Sequence, residues 1–142
     1  MKGTIMAGEH ILVVDDDADV REALRLMLEP KGYKVTLCAT GPEGRELART
    51  RVPDLILLDI MLATVSEGLH VAYELQKDES LAHVPIIMIS SIGETLGLDY
   101  ASEVGTDYLP ATCFLPKPLT AAMVLEAVEQ ALTEARTEKS GA

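Results

Sequence analysis

The chain has 142 residues, of which 48% are hydrophobic and 25% charged, a composition that suits one globular domain with a sizeable core. Its formal net charge of −11 argues against nucleic-acid binding, which needs clustered Lys and Arg, and one Phe without any Trp provides no stacking platform for single strands. No apolar run approaches the roughly 20 residues that cross a bilayer and the N-terminus does not resemble a signal peptide, so we expect a cytoplasmic protein.

The first half of the chain predicts strands that alternate with helices after a flexible leader over residues 1–9. In chain order the elements are a strand at Ile11–Val14, a helix over Val20–Leu28, a strand at Tyr33–Ala39, a helix from Pro42 to Thr50 and a strand at Leu55–Leu58. Asp16 or Asp17 can cap the first helix, and Thr40 with Glu43 has the spacing of a capping box at the second. The unbroken aliphatic run Leu55–Leu58 is typical of a strand that is buried on both faces.

The second half continues this alternation after a predicted loop at Ala63–Gly68. Its elements are a helix at Leu69–Lys77, a strand at Val84–Ile89, a weak helix at Thr95–Val104, a strand at Cys113–Leu115 and, after a cap at Thr120, a last helix that frays after about Arg136. Repeated strand-helix units predict a parallel sheet with helices on both faces. In a flavodoxin-like strand order, 2-1-3-4-5, Cys38 and Cys113 lie on opposite edge strands, too far apart for a disulfide.

Polar side chains follow four of the predicted strands. They are Asp15, Asp16 and Asp17, then Asp59, then Ser90 and Ser91, and finally Lys117. In the predicted order these four strands are neighbours, so the polar groups converge on one cleft at the carboxyl edge of the sheet. Three acids in one cleft repel each other, and a hard divalent cation such as Mg²⁺ relieves that repulsion. Together with a lysine and a hydroxyl, this chemistry suits phosphoryl transfer onto Asp59.

The same residues resemble the receiver domain of two-component response regulators. Four motifs carry the resemblance, in order and near the family's spacing: Ile11-Leu-Val-Val-Asp-Asp, Leu57-Leu-Asp-Ile-Met, Ile89-Ser-Ser and Phe114-Leu-Pro-Lys-Pro. The resemblance implies a flavodoxin-like, doubly wound α/β fold, with five parallel strands and about five helices on both faces. We expect the receiver domain over residues 10–136, followed by a C-terminal tail over 137–142.

For the chemistry of the cleft, the resemblance implies a role for each matched position. Asp59 is the phosphoacceptor. Asp15 and Asp16, together with Asp59 and the backbone carbonyl of Met61, hold Mg²⁺ or Mn²⁺. Lys117 pairs with the phosphoryl group.

For the response to phosphorylation, the resemblance implies a switch. Ser90 is the hydroxyl that moves toward the phosphoryl group, and Phe114 is the aromatic residue that turns inward with it. A cis peptide bond between Lys117 and Pro118 helps to aim the lysine.

These roles imply a signalling domain rather than an enzyme, with self-catalysed phosphoryl acceptance and slow autodephosphorylation only. A histidine kinase or phosphotransfer protein donates the phosphoryl group, and the face formed by the fourth helix, last strand and last helix changes in response. Because the chain ends soon after the last helix, we expect a stand-alone receiver. Its output acts through a downstream protein or through homodimerisation of that face, without nucleic acid or membrane.

Two other functions stay open at this point. Asp15-x-Asp17 after an apolar strand is the nucleophile pattern of haloacid-dehalogenase-like phosphatases, although no glycine and threonine follow it. A phosphorylation-independent binding module on the same fold is the second alternative. His10, His70 and His83 lie in no recognisable phosphotransfer helix, so we interpret them as surface or packing residues.

The loop after the third strand departs from the family pattern. Ala63 stands where proline is common, and Gly68 is reached through Thr64-Val-Ser-Glu, so we expect a longer or more mobile loop. Two variable positions on the approach to the phosphoryl group, Met61 and Ile92, are both apolar. We hypothesise that they obstruct the attacking water and slow the hydrolysis of the phosphoryl group.

Overall fold

The computed structural model describes residues 8–59, 65–90 and 113–141, with the side chains of 65–67, 69, 90 and 136–141 outside that description. Its strands are β1 (His10–Val14), β2 (Lys34–Cys38), β3 (Leu55–Asp59), β4 (Ile86–Ser90) and β5 (Cys113–Pro116). The α-helices in these ranges are α1 (Ala18–Leu28), α2 (Gly41–Thr50), α3 (Val65–Lys77) and α4 (Ala121–Gly141). The five strands form one parallel sheet in the order β2-β1-β3-β4-β5, which confirms the predicted fold.

The side chains of the central strands alternate between two helical layers. Ile11 and Val13 of β1 pack in the cluster that contains α1 and α4, whereas Leu12 and Val14 pack in the cluster that contains α2 and α3. Because successive strand residues point to opposite faces and helices cover both, a central strand needs apolar residues at every position. The run Leu55–Leu58 of β3 meets this requirement, with all four residues 0% exposed.

Both N-terminal caps predicted in the first half are present. Asp17 caps α1, and its carboxylate accepts a hydrogen bond from Asp19 N at 2.9 Å. Thr40 caps α2 by accepting from Glu43 N at 3.2 Å, while the Glu43 carboxylate accepts from Ala39 N. These bonds satisfy backbone N–H groups that the start of a helix leaves unpaired, so they set where each helix begins.

A close approach between α2 and the sheet depends on Gly44. A Cβ atom at this position would lie 2.7 Å from Val14 Cγ2 and 3.2 Å from Cys38 Sγ. Only glycine therefore allows α2 to pack this closely against the ends of β1 and β2.

The start of α3 corrects the predicted loop at Ala63–Gly68. The helix begins at Val65, so the longer loop expected there is wrong from this residue onward. Thr64-Val-Ser-Glu has the spacing of a capping box, a helix-start signal that the loop prediction overlooked. Gly68 is buried within this helix.

The end of α4 also differs from the prediction. The helix runs to Gly141 rather than fraying after Arg136, because the residues between them include the good helix formers Glu138 and Lys139. Within the described ranges, no helix combines the length and apolarity needed to span a membrane. The predicted weak helix at Thr95–Val104 lies outside the described residues, and the predicted domain boundaries stay predictions.

Part of the predicted leader is attached to the sheet. Gly8 N donates to Gly32 O at 3.0 Å, and Glu9 O accepts from Lys34 N at 2.9 Å. Both glycines have positive φ, 92° and 96°, the region in which glycine carries no steric penalty. Gly8 and Glu9, the two residues before β1, are therefore hydrogen-bonded to residues at and just before the start of β2.

Cys38 and Cys113 are free thiols on opposite edges of the sheet, as predicted. Cys38 ends β2 and is buried, and this burial raises the pKa of its thiol to about 12. A thiol with so high a pKa is unreactive near neutral pH, which fits a packing role for Cys38.

Candidate functional site

The register between β1 and β3 brings two acids to the same edge of the sheet. Val14 pairs with Leu58, so Asp15 and Asp59 stand side by side at the carboxyl ends of adjacent central strands. Both acids are buried, at 0% and 3% exposure. In open α/β sheets, ligands bind at this edge between strands whose connections lead in different directions.

Asp16 completes a cluster of three acids. One carboxylate oxygen from each of Asp15, Asp16 and Asp59 lies within 4.8 Å of the other two. Asp16 is exposed, whereas Asp15 and Asp59 are buried. Three oxygen donors at this spacing are the ligand type that Mg²⁺ and similar hard cations take.

Lys117 reaches the cluster from β5. Its Nζ lies 3.4 Å from Asp15 Oδ2 and 3.6 Å from Asp59 Oδ2, and its side chain is 23% exposed. Ser90 pairs with Pro116 across β4 and β5, so Lys117 is the residue that follows this last pair at the edge. The peptide bond from Lys117 to Pro118 is cis, as the family resemblance implied.

The turn after β1 is held by hydrogen bonds to Asp15. Its Oδ1 accepts from Asp17 N at 2.9 Å, and its carbonyl oxygen accepts from Arg21 Nη1 at 2.8 Å. Its own N–H donates to Cys38 O at 3.1 Å. Arg21 was not among the predicted site residues. The sequence signal for its contact with Asp15 is its position: Arg21 is a cation in the first turns of α1, where the helix dipole disfavours positive charge.

The remaining oxygen of Asp15 supports a cation at this position. Asp15 Oδ2 is buried and accepts no hydrogen bond from any of the described residues. Lys117 Nζ, 3.4 Å away, contributes charge without hydrogen-bond geometry. A buried carboxylate oxygen without a donor is costly, and a bound divalent cation would satisfy it. The donor set and this atom therefore fit a hard metal ion.

The predicted switch residues are described in part. Ser90 ends β4 at the same edge, and its side chain lies outside the description. Phe114 is partly buried and packs against the cluster that contains α2 and α3. Met61, with its proposed backbone ligand, and Ser91 and Ile92 lie outside the described residues.

The structure separates the other candidates from the cluster. Asp17 acts as the cap of α1 and is not among the three clustered acids. His10 begins β1, at the opposite end of the strand from Asp15. His70 is 72% exposed beside Glu74.

Comparison with known proteins identifies the family. Residues 11–129 match the model of the response regulator receiver domain. The chain is 38% identical over 116 residues to the phosphate regulon transcriptional regulatory protein PhoB of Pseudomonas aeruginosa, covering 82% of this chain and 50% of PhoB. It is 35% identical over 135 residues to the probable transcriptional regulator ycf27 of Porphyra purpurea, covering 94% and 54%. The chain thus spans about half the length of the curated relatives it matches.

A solved structure with the same fold contains a metal ion. The receiver domain of the sensor histidine kinase PA1611 of Pseudomonas aeruginosa PAO1 superposes with a TM-score of 0.76 and 28% identity, covering 89% of this chain and 99% of that domain. That structure has a magnesium ion coordinated in its active-site cleft.

Proposed function

Because the chain belongs to the family of response regulator receiver domains of two-component signalling, we propose that it accepts a phosphoryl group on Asp59. The donor is a histidine kinase or a phosphotransfer protein. Asp59 supports this role, since its carboxylate is buried at the end of β3 and faces the cluster of acids and Lys117.

The transfer step forms one bond and breaks another. A carboxylate oxygen of Asp59 attacks the phosphorus atom of a phosphohistidine, the phosphorus–nitrogen bond breaks, and the imidazole leaves with its electron pair and takes up a proton. An acyl phosphate on Asp59 results. The Lys117 ammonium, 3.6 Å from Asp59 Oδ2, is placed to contact a phosphoryl oxygen and to stabilise the charge that develops on it.

The acids would hold Mg²⁺, or Mn²⁺ in its place. Asp15, Asp16 and Asp59 are the proposed side-chain ligands, and the backbone carbonyl of Met61 is a further ligand that the family implies. When bound, the ion would neutralise negative charge on the acids and on the phosphoryl oxygens. Arg21 supports this arrangement as a positioning residue, because it holds the backbone of Asp15.

The output we propose is a conformational switch and not turnover of a substrate. Ser90 and Phe114 respond to the phosphoryl group, and the face that includes β5 and α4 then changes its affinity for a downstream protein. Apart from accepting and slowly losing its own phosphoryl group, the domain performs no reaction. We also propose a cytoplasmic location, which the unpaired Cys38 and Cys113 support.

One observation carries the proposal: Lys117 lies within 4 Å of two buried carboxylates, and one of their oxygens lacks a hydrogen-bond donor among the described residues. The test is incubation with acetyl phosphate or phosphoramidate and Mg²⁺, followed by intact mass spectrometry. We expect one added phosphoryl group, which is absent from Asp59→Asn and after chelation of Mg²⁺.

Asp19→Asn is the matched control, because it removes an exposed acid near the site that is outside the cluster. It should be phosphorylated like the parent. No phosphoryl mass on the parent would favour the phosphorylation-independent binding module. Hydrolysis of small phosphate esters that survives Asp59→Asn would favour the phosphatase.

A further inference from the structure

Hydrogen bonds fix every polar atom of Asp15 except Oδ2. Its N–H donates to Cys38 O at 3.1 Å, its carbonyl oxygen accepts from Arg21 Nη1 at 2.8 Å and its Oδ1 accepts from Asp17 N at 2.9 Å. Oδ2 is buried and accepts no hydrogen bond from any of the described residues. One oxygen of this carboxylate is therefore left for a cation, and the bonds around it leave it little freedom to change direction.

The hydrogen bond from Arg21 orients two of the clustered acids. The carbonyl oxygen that it contacts belongs to the peptide unit that joins Asp15 to Asp16, and a peptide unit is planar. A donor that holds this oxygen therefore fixes the plane from which both side chains leave the backbone. Asp16 is exposed, so this plane constrains an acid that burial does not.

Arg21 is itself held in place by the packing of α1. It precedes Leu24 and Leu28 by three and seven residues, so all three lie on one stripe of the helix. Both leucines are 0% exposed in the core, and Arg21 is half-buried. Its backbone N–H donates to Asp17 O at 3.0 Å in the first turn. The guanidinium is therefore attached to a helix that is packed on the sheet, and not to a loop.

We infer that Arg21 raises the preference of the acid cluster for Mg²⁺ over larger cations such as Ca²⁺. Mg²⁺ requires ligands at nearly ideal octahedral positions about 2.1 Å away, whereas Ca²⁺ accepts about six to eight oxygens in flexible arrangements. Ligands that cannot shift therefore favour the smaller ion. Groups that hold a metal ligand in place typically change metal affinity by about 10- to 100-fold. This role rests on the proposed function and deepens it, because it concerns the choice of cation at the same site.

The positive charge of Arg21 acts in the opposite direction to its hydrogen bond. A fixed positive charge near a cation site weakens the binding of every divalent cation, so loss of the charge alone should strengthen the binding of Mg²⁺ and Ca²⁺ by the same factor. Loss of the hydrogen bond should weaken the binding of Mg²⁺ and change that of Ca²⁺ little. The ratio of the two affinities therefore separates positioning from charge.

The test measures the binding of cations to the full, unphosphorylated chain. Free Mn²⁺ is followed by electron paramagnetic resonance, and Mg²⁺ or Ca²⁺ is titrated as a competitor at fixed ionic strength. Asp15→Asn, which removes a proposed ligand, measures binding to acids outside the cluster. Arg21→Gln should weaken the binding of Mg²⁺ by about tenfold and that of Ca²⁺ by no more than about twofold. Retained binding of Ca²⁺ shows at the same time that the variant is folded.

Arg25→Gln is the matched control. It removes the same charge from the same helix about one turn later, where the partners of Arg25 are the exposed Glu22 and Glu29. The ratio of Mg²⁺ affinity to Ca²⁺ affinity should stay within about twofold of the parent value, because charge affects both ions alike.

Two results would overturn the inference. An equal change of both affinities in Arg21→Gln would mean that Arg21 acts through its charge or through the fold as a whole. An unchanged or higher affinity for Mg²⁺ would mean that the hydrogen bond does not position the ligands. The proposed function fails separately, since no phosphoryl donor enters these titrations: a parent chain that prefers Mg²⁺ but gains no phosphoryl mass would refute phosphoryl acceptance alone.

Discussion

Removing the positive charge of Lys117 should destabilise the metal-free domain. The change Lys117→Met keeps most of the length and apolar character of the side chain but leaves Asp15 and Asp59 buried without the ammonium. Two carboxylates at the ends of adjacent strands would then repel each other, and because both are buried, water screens this repulsion little. The free energy of unfolding should therefore fall unless another cation, such as Mg²⁺, takes the place of the Lys117 ammonium.

The size of the effect follows from the distances. At an effective dielectric constant near 20, opposite charges about 3.5 Å apart attract by roughly 5 kcal/mol. Desolvation and ordering of the side chain offset much of this attraction, and breaking a buried ion pair costs about 3–5 kcal/mol. Because the Lys117 side chain is 23% exposed, we expect a loss near 2 kcal/mol without Mg²⁺. Added Mg²⁺ supplies positive charge to the same carboxylates, so the variant should gain more from it than the parent does.

Urea unfolding with and without Mg²⁺ measures this prediction. Lys31→Met, which removes an exposed lysine from the turn after α1, is the control and should change stability by less than about 0.5 kcal/mol. In an Asp15→Asn background, Lys117→Met should cost less, because only one buried carboxylate remains to lose its partner. The reasoning is refuted if Lys117→Met costs the same with and without Mg²⁺, or the same in both backgrounds.

Packing, protonation and phosphoryl lifetime lead to three further predictions. Gly44→Ala should lower the free energy of unfolding in urea by about 1 kcal/mol, because the steric conflict with Val14 outweighs the gain in helix propensity; a stabilised variant would contradict this. Burial lowers the pKa of His10, so its contribution to the free energy of unfolding should be fully present above pH 6.5 and should be lost as the pH drops below that value. His10→Gln should flatten this dependence of stability on pH. An unchanged dependence would exclude His10 as its cause. Met61→Asn with Ile92→Glu should speed phosphate release from the phosphorylated chain, and a parent lifetime of seconds that the two changes leave unaltered would exclude obstruction of water.

The sheet could be predicted because the residue types in each strand indicate which of its faces are buried. Leu55–Leu58 has no polar position, and a strand without a polar face must lie between two helical layers. That requirement places β3 at the centre, and the acid that follows it lies at the carboxyl edge. Asp15 follows β1 in the same way, and the flavodoxin-like strand order, in which β1 and β3 are neighbours, brings the two acids together.

Two of the details that were missed depend on contacts that only the folded structure shows. Arg21 became a site residue only when the fold brought its guanidinium to the carbonyl oxygen of Asp15. In the sequence, Gly44 cannot be told from any other helix position. Only the structure shows that a Cβ atom there would collide with Val14 of β1. The start of α3 at Val65 is different, because the local pattern Thr64-Val-Ser-Glu already indicates it.

The strand order is what the resemblance to receiver domains implied. By itself, the order of residue types determined the alternation of strands and helices and the polar residues that end the strands at one edge. These follow from periodicity and from which side chains tolerate burial, both of which are properties of short segments. The tertiary structure alone decided that Lys117 Nζ lies 3.4 Å from Asp15 and that one oxygen of this acid lacks a donor among the described residues. It also decided that a groove opens between β5 and α4. Distances between side chains on different strands depend on register and packing across the whole sheet, which no single segment contains.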